Sequence, residues 1–456
     1  MPVRLGVGQS PARHVGTPPE YLPMSYQEFA HRTNIAADDF KMYADFTRND
    51  AIINAIYQAM SEILVTTRAS AGMYQKADGS WTSFPANEPR IGDKGLLVET
   101  ARTNSIRNNT YQGAAAGSPG TLPTNWTVQT PTGLTRTITL ETINGVPCIR
   151  LRFQGTASST TAGINITFDA ITAAAALNGE KWSTSLFFRF NSTTGLPAGN
   201  LLLEIWNYTS ASGFIGTGSA SSEGTLNTAV SATLGRLDTR RTFGDATTAY
   251  ARTVLRTGNI SSGTVCDYEF VIGLPQLEAG GFTTSPIQTT GTAATRAGDV
   301  ILLRDAGFLN TAAGSVYMKY TPIFAYDELG SSSPQFVQLD DGTLNNRFYL
   351  QIPNSEDKFW SVLVNGGSST GFSNGGTDPN KNTVAKHAAR YASNNLKQAT
   401  NGTLSGQDST VNIPTSAFNR MVIGSAGSTA FANAYIAELA YFDRALSDAE
   451  LTAITS

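Results

Sequence analysis

Leu274-Pro-Gln-Leu-Glu-Ala-Gly-Gly-Phe-Thr-Thr-Ser-Pro-Ile-Gln-Thr-Thr-Gly-Thr-Ala-Ala-Thr-Arg-Ala-Gly-Asp299 is the stretch on which the fold turns. It reads as a strand ending at Leu277, an acidic and small turn at Glu278 to Gly281, and an extended segment broken by Pro286. A Thr/Ala/Gly joint then leads into a new run of strands from Asp299. One β unit closes here and another opens. Thr67-Arg68-Ala69 returns as Thr295-Arg296-Ala297, and both copies start a strand run. The echo points to residues 45–104 and the C-terminal third forming one structure, interrupted by the middle.

On the N-terminal side of the joint, residues of about 105–285 alternate with period two. Ile149, Leu151 and Phe153 share one face, with Arg150 and Arg152 opposite. From Lys181 to Phe190 the core face is Trp182, Leu186, Phe188 and Phe190, with Phe187 and Arg189 behind it. Leu203 and Ile205 oppose Glu204, Trp206 and Tyr208. On the C-terminal side, Val316 to Tyr320, Arg347 to Ile352, Phe359 to Val364, His387 to Tyr391, Asn419 to Gly424 and Ala434 to Phe442 read as strands. Ser447-Asp-Ala-Glu450 spells the cap of a closing helical turn.

Composition agrees. Only 15% of the 456 residues are charged and 43 are Gly, which favours short strands and many turns. The length suits two or three domains. A net charge of -3 without blocks of like charge argues against nucleic acid and against a polybasic membrane patch. No apolar run approaches the ~20 residues of a membrane span. The first ten residues lack the apolar centre of a secretory signal. Synthesis in a cytoplasm is therefore expected, with Cys148 and Cys266 reduced and buried; a disulfide between them is the open alternative.

Residues 1 to about 35 have little periodicity and read as an arm that docks on something else, with one short helix near Tyr26 to Arg32. Beyond it, Ile52, Ile53, Ile56, Tyr57, Met60, Ile63 and Leu64 recur at three and four residues. That spacing predicts a helix over about 50–64. A shorter helix from Tyr57 to Leu64 after an extended Asp45-Phe46-Thr47 is the competing reading.

Several lines together resemble a broad family of tailed-phage and prophage structural proteins, including fibre, spike and tail components. They are Thr67-Arg-Ala-Ser70, Gly95-Leu-Leu-Val-Glu-Thr-Ala-Arg-Thr-Asn104, Gln276-Leu-Glu-Ala-Gly280 with Thr-Thr-Ser-Pro286, and Thr295-Arg-Ala-Gly-Asp299. Lys386-His-Ala-Ala-Arg-Tyr-Ala-Ser-Asn-Asn395 and Ile436 to Glu450 are similar to a concanavalin or laminin-G-like sandwich. The resemblance implies a mostly β protein: two antiparallel β-sandwiches, an extended N-terminal arm and one or two short helices. Residues 1–42 are the attachment arm and 43–104 a connecting β segment with a short helix, part of the C-terminal sandwich. Residues 105–285 are a carbohydrate-binding-module-like jelly roll, and 286–456 a laminin-G-like sandwich. It further implies a homo-oligomer, a trimer by analogy with fibres, held to other virion proteins through the arm and exposed on a virion surface.

Chemistry for catalysis is thin. His14, His31 and His387 are too scattered for a triad or a His-rich metal cluster. Gly367-Ser-Ser-Thr-Gly371 has a nucleophile-elbow spelling without strand-turn-helix context. Asp340-Asp341-Gly342 reads as a hairpin turn in preference to a calcium site. Glu204, Asp238, Asp245, Glu269, Asp340 and Asp341 could serve a glycosidase, but the sequence cannot pair them. Binding fits better. Glu204, Trp206 and Tyr208, with Arg152 and Arg189 on neighbouring strands, have the make-up of a sugar platform, an aromatic face beside planar hydrogen-bonding groups. Against this, Trp206 and Tyr208 could equally pack under a loop or against a subunit. Trp182 reads as core. Trp360 could serve a platform on the second sandwich, but its strand neighbours Val362 and Val364 favour core. The expectation is a non-enzymatic fibre or spike subunit that binds host surface polysaccharide, with no catalytic residue, metal or cofactor. A purely structural decoration or baseplate part, and a glycan-depolymerising tailspike, are the alternatives.

Overall fold

Ile52, Ile53, Ile56 and Tyr57 follow a helical spacing, yet they belong to a hairpin of strands Asp50–Ile53 and Ile56–Ala59. Asn54 and Ala55 both take the left-handed region, φ 50° and 61°, and close the hairpin in two residues. The helix over 50–64 does not form, and the shorter reading holds only at its centre, the single turn Met60–Ile63. Both faces of the hairpin strand are covered: Ala51 and Ile53 enter one core, and Ile52 enters another. A strand apolar on both sides loses its alternation, so an accidental three-and-four spacing dominates. The computed structural model describes residues 24–33, 35, 39–161, 163–196, 201–216, 224–226, 233–376 and 380–456. The first 23 residues of the expected arm lie outside these.

Two antiparallel sheets enclose the larger core. One places Phe40–Asp45, Ala434–Phe442, Ala313–Pro322, Ala385–Ala392 and Asn395–Thr400 side by side, with the hairpin at one edge and Thr403–Leu404 at the other. Gly95–Val98 joins it along Ala434–Phe442. The other runs Ser368–Gly375, Phe359–Asn365, Arg347–Gln351, Gln335–Asp340, Arg420–Ile423, Val300–Leu303 and Leu64–Thr67. Residues 40–98 thus give strands to both sheets of a sandwich otherwise built from 300–442.

Residues 24–33, expected within the 1–42 arm, are instead a layer of this sandwich: helix Met24–Thr33 lies on the outer face of the first sheet. Phe29 stacks on Tyr43 with centroids 4.6 Å apart and touches Tyr317. Helix Asp448–Thr455 adds Leu451 and Ile454 to the same layer, and Ser447 and Glu450 cap its start reciprocally.

The middle sandwich packs Leu134–Ile143, Val146–Thr156, Val265–Ala279, Lys181–Thr194 and Gly235–Thr242 against a second sheet. That sheet is centred on Asn165–Thr167, Tyr250–Arg256 and Leu201–Tyr208. Ile149, Leu151, Phe153, Leu186, Phe188, Phe190, Leu203 and Ile205 form its core, on the faces read from alternation. Trp182 is buried there too. Cys266 points into this core, whereas Cys148 lies on the reverse face with Phe187 and Val271. The sheet stands between the two thiols, and both are free.

The joint is built from the echoed residues. Arg102–Asn104, leaving for the middle sandwich, pairs antiparallel with the returning Ala294–Arg296. Arg68 donates to Asp299 at 2.8 Å, Arg90 to Glu99 at 2.6 Å and to Asp299, and Arg296 to Glu99 at 2.8 Å. All five side chains are buried. Glu278 is not in a turn: its strand runs to Ala279, and the buried carboxylate accepts from Thr284 N and Oγ1. Gly280 takes φ +137°, and a Cβ there would meet Arg102 Nη2 at 2.3 Å. The close approach requires glycine.

Candidate functional site

Glu204, Trp206 and Tyr208 do share the outer face of strand Leu201–Tyr208, but their environments differ. Glu204 is fully buried. Arg256 forks onto its two oxygens at 2.7 and 2.8 Å, and Trp206 Nε1 donates to it at 2.7 Å. Tyr208 is buried beside Phe214. Trp206 leans on Phe214 with centroids 5.0 Å apart, and Phe214 is 55% exposed. Trp206 and Phe214 are therefore the rings a ligand could meet here.

Arg152 and Arg189 do not join this face. Their strands, Val146–Thr156 and Lys181–Thr194, belong to the opposing sheet, so the two groups lie on opposite outer sides of the sandwich. Arg152 is engaged by Asp267 at 2.8 and 2.7 Å. The consecutive strands Lys181–Thr194 and Leu201–Tyr208 belong to different sheets instead of pairing in one. That division separates the residues that sequence reasoning had placed on neighbouring strands.

A second aromatic face lies where sequence reasoning preferred core. Trp360 is not in the core. With Tyr349, Val362 and Val364 it forms a cluster on the outside of the second sheet of the C-terminal sandwich. Its ring meets Phe372 edge-on at 4.4 Å, and Phe372 is 39% exposed. Trp360 Nε1 donates to Glu356 at 3.1 Å. The Arg347 guanidinium lies 4.5 Å over the Tyr349 ring. Beside the rings runs a polar row: Arg347 donates to Gln338 at 3.0 Å, Gln338 to Asp340, and Arg420 to Asp340 at 2.6 and 3.0 Å. Phe359, Leu363 and Phe348 on the same strands fill the core, so both faces read as apolar. The ring-and-amide pattern of Tyr349, Gln351, Trp360 and Asn374 was the available signal.

The acid-base candidates are committed elsewhere. His387 is fully buried, stacks on Phe359 at 3.8 Å, and pairs through Nδ1 with Thr400 Oγ1 at 2.9 Å. Burial holds its pKa down to about 3. Asp341 accepts from Thr343 in the loop after Gln335–Asp340, as a turn residue does. Asp245 is lowered by hydrogen bonds from Thr247, and Asn191 donates to Glu269 at 2.5 Å. Among the described residues no set of three His, Cys, Asp or Glu stands together as metal ligands.

Residues 323–452 match the Concanavalin A-like lectin/glucanases superfamily. This span contains Tyr349, Trp360 and Phe372. Similar solved structures include domain 4 of AbnA, a GH43 extracellular arabinanase from Geobacillus stearothermophilus, in complex with arabinotriose. It is 17% identical over 38% of this chain and 82% of that one, with a TM-score of 0.28. The Ruminococcus gnavus IT-sialidase CBM40 bound to alpha2,3 sialyllactose is 19% identical over 32% and 84%, TM-score 0.27. The native heptameric SAP-like pentraxin from Limulus polyphemus is 14% identical over 33% and 73%, TM-score 0.25. No curated protein matches the chain.

Proposed function

We propose that the chain is a non-enzymatic fibre or spike subunit of a phage-like particle that binds host surface polysaccharide through the lectin-like sandwich. The observation that carries this is the Trp360–Phe372 pair, beside a Tyr349 ring that is buried under Arg347, within the residues matched to the lectin superfamily. Aromatic rings take the C–H side of a sugar, and the adjoining Glu356, Asn374 and Gln351 supply planar partners for hydroxyls. Trp206 and Phe214 offer a second, smaller platform on the middle sandwich. Weak sites of this kind become useful when many copies act together in an oligomer on the particle surface. Residues 1–23 would contact the other virion proteins.

Binding without cleavage is favoured by the carboxylates. Among the described residues, every Asp or Glu moved from its ordinary range is moved downward, including Glu99, Asp341, Glu356 and Glu438. A glycosidase acid needs the opposite shift. The test is a glycan array of the full chain and of Trp360→Ala. Binding that falls about tenfold or more in the variant supports the reading. If the array stays blank while intact particles still adsorb to cells, the adhesin reading is lost.

A further inference from the structure

We propose that the cleft between the two sandwiches is a separate saccharide site, selective for sugars that carry a carboxylate. The proposal rests on the glycan-binding reading above, and it concerns residues that lie on neither aromatic face.

The cleft encloses about 260 Å³, a little under the ~300 Å³ at which pockets for drug-sized ligands begin, which suits one sugar residue. Three segments build it. The hairpin Gly72–Gln75 and Trp81–Phe84 brings Trp81, the turn before Gly95–Val98 brings Lys94, and the edge strand Gly235–Thr242 of the middle sandwich brings Arg236 and Asp238. Lys381 and Tyr435 close it from the C-terminal sandwich.

The charges do not balance. Arg236 lies 5.7 Å from the Trp81 ring and 5.9 Å from that of Phe187, and it donates to Ser185 Oγ at 2.8 Å. Lys94 Nζ donates to Gln75 Oε1 at 3.0 Å and sits 5.2 Å from the Tyr435 ring. Among the described residues neither cation has a carboxylate in salt-bridge range. Asp238 is held by Lys381 at 3.5 Å, and Glu99, the other acid on the wall, belongs to Arg90 and Arg296. Burial pulls both Arg236 and Lys94 below their usual pKa, by more than the nearby Glu278, Asp238 and Glu99 offset for Arg236 and Asp93 offsets for Lys94. The Trp81 Nε1–H is also buried without an acceptor among the described residues.

An incoming carboxylate would meet these donors together. A guanidinium donates to it as a fork, an ammonium as a point charge, and the Trp81 donor and ring suit hydroxyls and the C–H face. Glutamine at position 94 or 236 removes the charge while keeping a polar side chain.

The experiment titrates the full chain with a galacturonate trimer, its methyl ester, a hyaluronan tetramer and a sialyl trisaccharide. The readouts are calorimetry and tryptophan fluorescence. At least one acidic saccharide should bind, with affinity falling as salt rises. The galacturonate ester should bind about tenfold more weakly than its acid if that acid is the one bound. Lys94→Gln and Arg236→Gln should each lower the affinity about tenfold or more. Should Arg236→Gln unfold, Lys94→Gln with Lys94→Arg as the restoring variant decides the matter. Acidic binding that ignores position 94 overturns the proposal. So does a blank acidic panel beside neutral glycans that bind through Trp360. If neither neutral nor acidic saccharides bind anywhere, the glycan-binding reading itself fails.

Discussion

Arg296 Nη1 stands 2.8 Å from Glu99 Oε2 and 2.8 Å from Ser285 Oγ, bridging an acid 197 positions away in the chain. The whole middle sandwich lies between these two residues in sequence, and yet none of it lies between them in space. With Arg68, Arg90 and Asp299 they form one buried cluster, in which each arginine depends on a carboxylate for its stay in the interior.

Removing one member should therefore cost far more than a surface ion pair would. Arg296→Ala is expected to destabilise the chain by about 3–5 kcal/mol, because it removes one of the two cations on buried Glu99 and empties the buried space of a large side chain. Arg296→Lys, which keeps the charge and loses the fork, should fall in between. Denaturant midpoints measure both. A loss below about 1 kcal/mol, typical of exposed pairs, would contradict this account.

The same cluster sets an acid limit. Burial alone would raise the Glu99 carboxyl, but Arg296 and Arg90 outweigh it and hold it at about 2, against an ordinary 4.5. The folded value lies below the unfolded one. Its contribution is thus complete above pH 4.5 and lost as pH falls towards about 2. Glu99→Gln should flatten the acid-unfolding profile in that window, as read by circular dichroism.

His387 acts over a higher window. Its imidazole is held at about 3 instead of 6.5 by burial, so the unfolded chain takes up a proton first. Stability should decline from pH 6.5 downward until about 3. In NMR the His387 ring signals should keep their neutral positions at mildly acidic pH. A midpoint near the ordinary histidine value would refute the buried setting.

The paired stem also predicts that the insertion can be excised. Joining residue 104 to 294 through a two-residue turn should leave a C-terminal sandwich that unfolds cooperatively. Met73 and Trp81, which lose their cover, should be made polar in the same variant. Failure of this sandwich to fold would mean that the middle domain supports it.

On the first sheet, Phe29→Ala should cost about 3–5 kcal/mol, since the ring fills a layer between Phe40, Tyr43 and Tyr317. If residues 24–33 were a loose arm, the change would be near neutral.

Where one strand face was polar, the sequence was readable: Arg150 and Arg152 beside Ile149 and Leu151 mark which side is core. Where both faces are apolar, as at Ile52 and Trp360, alternation vanishes and core cannot be told from surface. The shared face of Glu204, Trp206 and Tyr208 was legible. Its partners were not, because the pairing of Leu201–Tyr208 with Tyr250–Arg256 depends on a crossing between sheets that no local pattern encodes. Nor could spacing reveal that Arg256 already occupies Glu204. The Thr-Arg-Ala echo was visible as wording. Its meaning, two arginines meeting the acids of one cluster, needed coordinates.

Strand Phe40–Asp45 lies antiparallel beside Ala434–Phe442, with Phe40 opposite Phe442. Tension that draws these two ends apart would open the ladder like a zipper, one bond after another. Tension between residue 40 and Glu438, which lies opposite Asp45 at the other end of the ladder, would instead load the strand's bonds in shear, all at once. The same strand pair therefore yields to one direction of pull and resists the other.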